Sequence, residues 1–198
     1  LKVLELFAGS RSIGKAAEEM GLEVFSSDLI AFENINYVGD VLEFDYSKVP
    51  FVPDIIWASP PCTGFSVAAL GRNWDKNGKV FTPKSDTARL GIQILTKTIE
   101  IINHYNPKYF FIENPRGMMR KVPILDQYIR HTVTYCQYGD MRMKPTDIWT
   151  NNKTWQPKLP CSNGDPCHVA APRQSKTGTQ SLANAYEKSK IPHALCLE

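Results

Sequence analysis

A chain of 198 residues, 42% apolar and 22% charged, can bury one ordinary hydrophobic core and is too balanced to be disordered or fibrous. No apolar run approaches the roughly 18 residues of a membrane span, and no signal-like segment opens the sequence, so no membrane partner is expected. The net charge of +3 hides a split: residues 1–60 hold 4 basic and 10 acidic side chains, residues 61–198 hold 19 and 10, so the later part is the one suited to a polyanion. Five cysteines, an odd number in a chain of this length, favour free thiols and a reducing, cytoplasmic setting.

Lys2 to Leu6 is a short apolar run that reads as a strand, and Phe7-Ala8-Gly9-Ser10 supplies a turn. Ile13, Ala16, Ala17 and Met20 then fall at i, i+3, i+4 and i+7, one face of a helix that Gly21 ends. Glu23 to Ser27 is a second strand closing at Asp28, and Gly39-Asp40-Val41 ends a third. Asp54 to Ser59, centred on Ile55-Ile56-Trp57, reads as a buried strand broken by Pro60-Pro61. A long polar loop with Gly71, Gly78 and Pro83 follows. Thr87 to about His104 is an amphipathic helix stopped before Pro107, and Tyr109 to Glu113 is another buried strand, ending at Asn114-Pro115.

Beyond about Thr150 the pattern weakens, with a short helix expected over Leu182 to Lys188 and Leu197-Glu198 read as an appended pair. Residues 1–198 therefore read as a single domain, with 150–180 a reduced, loop-rich segment within it. Strands alternating with helices predict a doubly wound, mostly parallel α/β sheet, whose ligands bind beyond the carboxyl ends of the strands. Gly9, Asp28, Asp40, Cys62 and Glu113 all fall at such ends.

Gly9 to Ala16 spells G-S-R-S-I-G-K-A, a phosphate-binding loop except that Ala16 lacks the hydroxyl that would hold magnesium. The alternative is an adenosylmethionine turn, with Asp28 closing the second strand as the ribose partner. Both readings stay open here, the two downstream acids favouring the second. Ser59-Pro60-Pro61-Cys62-Thr63-Gly64-Phe65-Ser66 uses a proline-fixed backbone to present a thiol at a strand end, a rigidity that a core cysteine does not need. Glu113 follows Tyr109-Phe110-Phe111-Ile112 and so lies against a buried wall.

Taken in order, Leu6-Phe7-Ala8-Gly9, Asp28, Asp40, Pro60-Pro61-Cys62 with Gly64-Phe65-Ser66, Glu113-Asn114, and Tyr138-Gly139 through Arg142-Met143-Lys144 resemble the motifs of cytosine-5 DNA methyltransferases, particularly short phage or prophage-type members. The resemblance implies a Rossmann-like fold and S-adenosyl-L-methionine as cofactor, held by Phe7, Ala8, Gly9, Ser10, Asp28, Leu29, Asp40, Val41 and Pro60. It makes Cys62 the nucleophile, Glu113 the acid that holds the base, and Arg142 the residue that steadies the ring oxygen. DNA would meet Ser66, Arg72, Lys144, Arg173 and Lys176, and a cognate restriction nuclease is the implied partner.

Several positions depart from the family pattern. Thr63 stands where Gln is usual, and Pro115 follows Asn114 where Val is usual. The arginine motif is shortened, which leaves Arg142 and Lys144 as competing base contacts. The segment before the end is expected to be too short for a full target-recognition domain, and Lys190-Ile191-Pro192-His193-Ala194-Leu195 takes the place of the terminal motif. The departures leave room for a catalytically silent DNA-binding relative, and the Gly9 turn for a nucleotide-binding phosphotransfer domain. The loop Thr63–Ser85, with Arg72, Lys76, Lys79 and Lys84, is a candidate lid over phosphates, and the basic run Pro172 to Thr179 a minimal recognition loop.

Cys161, Cys167 and His168 have zinc-ligand chemistry, with Cys136, His193 or Cys196 available as a fourth. The Cys-x5-Cys-His spacing lies outside the usual two-to-four spacer, so no metal is expected.

Overall fold

In β1 (Lys2–Leu6) successive side chains enter different cores, as a strand covered on both faces requires: Leu4 and Leu6 join one, Val3 the other. The computed structural model describes residues 1–169 and 184–198, and β1 lies within a seven-stranded sheet. After β1 come α1 (Ser12–Glu19), β2 (Glu23–Asp28), β3 (Tyr37–Val38) and β4 (Ile55–Ala58). Then follow α2 (Leu70–Asn73), a hairpin of β5 (Trp74–Asn77) and β6 (Val80–Pro83), and α3 (Asp86–Tyr105). β7 (Tyr109–Pro115), β8 (Ile129–Thr134), β9 (Pro145–Thr150), α4 (Ala185–Ser189) and α5 (His193–Cys196) complete the order.

The sheet runs β3-β2-β1-β4-β7-β9-β8, parallel as far as β7, with β9 antiparallel to both β7 and β8. The expected doubly wound α/β architecture is therefore present. α3 covers one face through Ala88, Leu95, Ile99 and Ile102, capped by Ser85, whose Oγ accepts from the Ala88 amide at 3.1 Å. It stops at Asn106, left-handed at φ 45, just before Pro107. α1 and α5 cover the other face, where Leu195 packs with Ile13 and Ala17. Burying a leucine in this way contributes about 1.5–3 kcal/mol, so the carboxyl-terminal residues belong to the core.

Three expectations change. α1 ends before Met20, which is 54% exposed and lies past the last helical turn instead of on the buried face. The polar loop 63–85 contains α2 and the β5–β6 hairpin, because Trp74 is buried there and its indole N–H donates to the Gly64 carbonyl at 2.8 Å. The stretch between Pro115 and Thr150, for which no element was expected, supplies two strands, β8 and β9. At the end of the chain His193 contacts Glu19 at 2.7 Å and the Tyr138 hydroxyl donates to Glu198 at 3.0 Å. The basic run 172–179 and the start of the expected helix at Leu182 lie outside the described residues. Among the described residues no helix is long and apolar enough to cross a membrane.

Candidate active site

The turn leaving β1 holds Phe7, Gly9 and Arg11 at positive φ (58, 49 and 55). Gly9 adopts this without the Cβ clash that other residues meet, and its amide donates to Asp28 Oδ2 at 2.9 Å, drawing the turn against the end of β2. Asp28 Oδ1 accepts from the Ile30 amide at 2.9 Å. Beside it Leu29 is 66% and Ile30 57% exposed, an apolar pair at the strand end. Asp40 lies two residues beyond Val38, the β3 partner of Asp28, and is exposed apart from accepting from the Leu42 amide. Val41 is half-buried beside it, and Ser10, buried, shares a hydrogen bond with Ser12 at 2.8 Å.

The phosphate-loop reading does not survive this geometry. Glu5 is buried below the turn, and its Oε1 accepts from the amides of Ile13 and Gly14 at 3.2 and 3.1 Å while Oε2 accepts from Ser26 at 2.7 Å. The helix N-terminus that would bind phosphate is already occupied by a carboxylate of the chain itself. Burial pushes the Glu5 pKa up, against these hydrogen bonds and Arg11, which hold it down. A Cβ at Gly14 would lie 2.7 Å from Glu5 Oε2, so the second glycine of the motif serves packing.

At the end of β4, the Pro60 carbonyl accepts from Asn114 Nδ2 at 2.8 Å, tying the proline turn to β7. The Phe65 amide donates to the Cys62 carbonyl at 2.9 Å and closes the turn. Phe65 is 1% exposed, and its own carbonyl accepts from Met118 at 2.8 Å. Gly64 and Gly117 permit this approach, since added Cβ atoms would sit 2.8 Å from Thr87 O and 2.4 Å from Phe65 O. Cys62 keeps exposed surface. Packing around its thiol raises the pKa, the Glu113 charge raises it further, and Lys144 opposes both.

Glu113, near the end of β7, is buried and accepts from the Tyr135 hydroxyl at 3.1 Å. Tyr135 is fully buried; desolvation and then the Glu113 charge hold its pKa well above the ordinary value, so it remains the donor. Lys144 Nζ sits 4.4 Å from the Tyr135 ring centroid and donates to the Lys188 carbonyl at 2.9 Å. Burial lowers the Lys144 pKa, while Glu113 and Cys62 raise it. Cys62 and Glu113 thus stand at the ends of paired strands, with Lys144 on the Tyr135 ring that holds Glu113.

Arg142 is placed differently. Its guanidinium is bound by the Asp140 carboxylate, with Nε 3.0 Å from both oxygens, and reaches the Lys188 carbonyl at 3.4 Å. Ser66 is half-buried at the start of the short turn over Val67–Ala69, and Arg72 is exposed in α2. Arg173 and Lys176 lie outside the described residues. Tyr135 and the Lys188 carbonyl were not anticipated. The alternation Ile129, His131, Val133, Tyr135 was the signal for the first; nothing in the sequence marks the second.

The first 130 residues match the family model of the C-5 cytosine-specific DNA methylases. The chain is 33% identical over 174 residues to a "Probable DNA (cytosine-5)-methyltransferase" of Frog virus 3 (isolate Goorha), covering 84% of this chain and 78% of that protein. It belongs to the C-5 cytosine-specific DNA methylase family. A type II methyltransferase, M.AplI of Arthrospira platensis, is 27% identical over 61% of this chain and 33% of its own length. A mutant DNMT2 of Spodoptera frugiperda shares the fold with TM-score 0.51 at 20% identity, covering 79% of this chain and 52% of that one. The chain thus spans most of the viral relative but about half of the insect structure and a third of the cyanobacterial enzyme. The methyl donor of the family is S-adenosyl-L-methionine.

Proposed function

We propose that this methylase transfers a methyl group to carbon 5 of cytosine in DNA through a covalent adduct at Cys62. The observation that carries the reading is that Cys62 and Glu113 stand at the carboxyl ends of the paired strands β4 and β7, locked together by the Asn114–Pro60 hydrogen bond. A cytosine ring yields electrons at carbon 5 only after a nucleophile has added at carbon 6, and the Cys62 thiolate is presented for that addition; once carbon 5 is methylated, loss of its proton breaks the carbon 6–sulfur bond and releases Cys62. Glu113, oriented by the Tyr135 hydroxyl, would hydrogen-bond the ring nitrogen and exocyclic amine. Lys144 would stabilise the thiolate and the charge developing on the ring; its place on the Tyr135 ring, and the Asp140 carboxylate that already binds Arg142, favour it over Arg142 as the base contact, and Arg142 would position the Lys144 loop through Asp140 and Lys188. The base must leave the stack to reach this group, so base flipping is part of the proposal.

The cofactor suits the other end of the site. The left-handed turn at Gly9, the exposed Leu29 and Ile30, and two carboxylates at adjacent strand ends offer backbone, an apolar face and acceptors for ribose hydroxyls and an adenine amine. Phe7, Ala8, Gly9 and Ser10 would hold the methionine end with Pro60 closing the side, Asp28 the ribose, and Leu29, Asp40 and Val41 the adenine. Bound there, the cofactor supplies an electrophilic sulfonium methyl. Ser66 and Arg72 would contact DNA from the Cys62 side, and Arg173 and Lys176 from the segment before α4. A place in a restriction–modification pair, with a nuclease partner, rests on the type II relative alone.

The test is transfer of labelled methyl to cytosine-containing DNA and RNA offered in parallel, with the modified base identified by mass spectrometry. Label in 5-methylcytosine of DNA is the expected result. Transfer only to RNA, or none to either polymer, would reject the proposal.

A further inference from the structure

We propose that Cys136, Cys161, Cys167 and His168 form a structural zinc site, a closed set of three thiolates and one imidazole. Their ligand atoms all lie within 4.8 Å of one another, although Cys136 precedes Cys161 by 25 residues. Cys136 Sγ is 3.1 Å from Cys161 Sγ and 3.5 Å from Cys167 Sγ; His168 Nδ1 is 3.6 Å from Cys161 Sγ and 3.5 Å from Cys167 Sγ. Tetrahedral zinc with Zn–S of about 2.3 Å and Zn–N of about 2.0–2.1 Å spaces its ligands about 3.8 Å apart for sulfur pairs and about 3.5 Å for sulfur and nitrogen. The sulfur–nitrogen distances fit this closely, and the two sulfur pairs need to open by about 0.3 and about 0.7 Å. No pair is at the roughly 2.05 Å of a disulfide, and all the cysteines are free.

The spacing along the chain argued against a metal, and the fold removes the objection. Cys136 arrives from the turn after β8 and replaces the missing close-spaced cysteine, while His168 presents Nδ1, the ring nitrogen nearer its backbone, which lets it stand directly after Cys167. Between Cys161 and Cys167 the chain reverses through Ser162–Asp165, with the Ser162 amide donating to Asp165 Oδ2 at 2.7 Å and Gly164 at φ 96. The Cys161 amide donates to Thr134 Oγ1 at 3.0 Å, and Gln137 Nε2 lies 3.6 Å from Cys167 Sγ, contacts that orient thiolate ligands. The other candidate ligands are engaged elsewhere, His193 with Glu19 and Cys196 with the Ile191 carbonyl.

The same segment has no buried apolar side chain to hold its shape. From Asn151 to Val169 no residue is buried, and Leu159 is 86% exposed. A metal would supply the cohesion that apolar burial does not, with the thiol protons released to solvent on binding. It would staple residues 158–169 to the turn after β8, and the Val169 amide, 2.9 Å from the Met141 carbonyl, carries that order to the loop bearing Arg142 and Lys144. With four protein ligands there is no open position, so the role is structural.

Elemental analysis of the full chain, purified reduced and without chelator, should find about one zinc per chain. Cys161→Ser and His168→Ala should each lose most of it, and Cys196→Ser should keep it. Cobalt(II) added to the reduced, metal-free wild-type chain should give thiolate-to-cobalt charge-transfer absorption, a readout that needs no variant to fold. Wild-type protein that contains less than about a tenth of an equivalent of zinc and shows no such absorption overturns the proposal. Full zinc retention in both ligand variants, or a Cys136–Cys161 disulfide in metal-free protein as purified, also overturns it.

Discussion

The cofactor end and the base-binding end of this site are built by opposite means. Around Gly9, Asp28 and Asp40, each group sits at the end of its own strand and is fixed by contacts a few residues away or by one neighbouring strand, such as Gly9 to Asp28 and Asp40 to Leu42. Around Glu113, the parts come from distant chain: Tyr135, Lys144 and the Lys188 carbonyl converge from three segments. The first arrangement rests mainly on the parallel core of the sheet, the tail touching it through the Ile191 amide on Ser12. The second also needs the antiparallel β9, the edge strand β8 and the returning tail, so damage there should reach chemistry while leaving cofactor binding largely intact.

The most severe break of this contrast is at the thiol. Cys62→Ser should lower methyl transfer by on the order of 10^4-fold or more, since the nucleophile is removed. It should also abolish trapping on DNA carrying 5-fluorocytosine, while adenosylmethionine affinity by calorimetry stays within a few fold. An adduct formed by the serine variant would mean that another thiol is the nucleophile.

Next in size is the edge of the sheet. Arg120 grips the fully buried Asp147 on β9 through two contacts of 2.9 and 2.5 Å, and Thr132 on β8 donates to the same carboxylate at 2.7 Å. Arg120→Ala strands a buried charge, at a cost of about 3–5 kcal/mol in denaturant unfolding. Hydrogen exchange should show the loss concentrated in β8 and β9. Uniform loss across β1, β2 and β4 would mean that the two ends of the sheet are not separable.

On the cofactor side, Asp28→Ala removes charge-assisted hydrogen bonds of about 1.5–3 kcal/mol, a ten- to hundredfold loss of adenosylmethionine affinity. DNA binding without cofactor should change little. Equal weakening of both ligands would erase the distinction drawn between the two ends.

The smallest effect concerns protonation. Burial and Glu113 raise the Cys62 pKa, so its reactive thiolate becomes more abundant as pH rises from neutrality through the thiol range. Iodoacetamide labelling of Cys62, followed by peptide mass spectrometry, should therefore accelerate with pH. Lys144→Met removes the cation that opposes the rise, so the labelling profile should move to higher pH by a few tenths of a unit or more. Glu113→Gln should move it the other way. A profile indifferent to both substitutions would separate Lys144 and Glu113 from the thiol.

Local pattern was enough for much of this protein. The apolar runs at Lys2–Leu6, Ile55–Ala58 and Tyr109–Pro115, and the helical period of α3, fix elements whose hydrogen bonds and buried faces repeat over short distances. Gly9, the Pro60-Pro61 pair and the acids at the strand ends are legible because a parallel sheet places strand ends on one rim whatever the rest of the chain does. Tertiary structure alone decided the rest. Trp74 turns a polar loop into an ordered hairpin by filling a gap beside Phe65, and Leu195 makes a core residue of the tail. Asp140 binds the Arg142 guanidinium while Lys144 reaches the Tyr135 ring that orients Glu113, and the three thiols meet His168 only after β8 and the later loop are folded together. These are contacts between residues tens of positions apart, where sequence spacing carries no distance and the packed backbone alone brings the groups within reach.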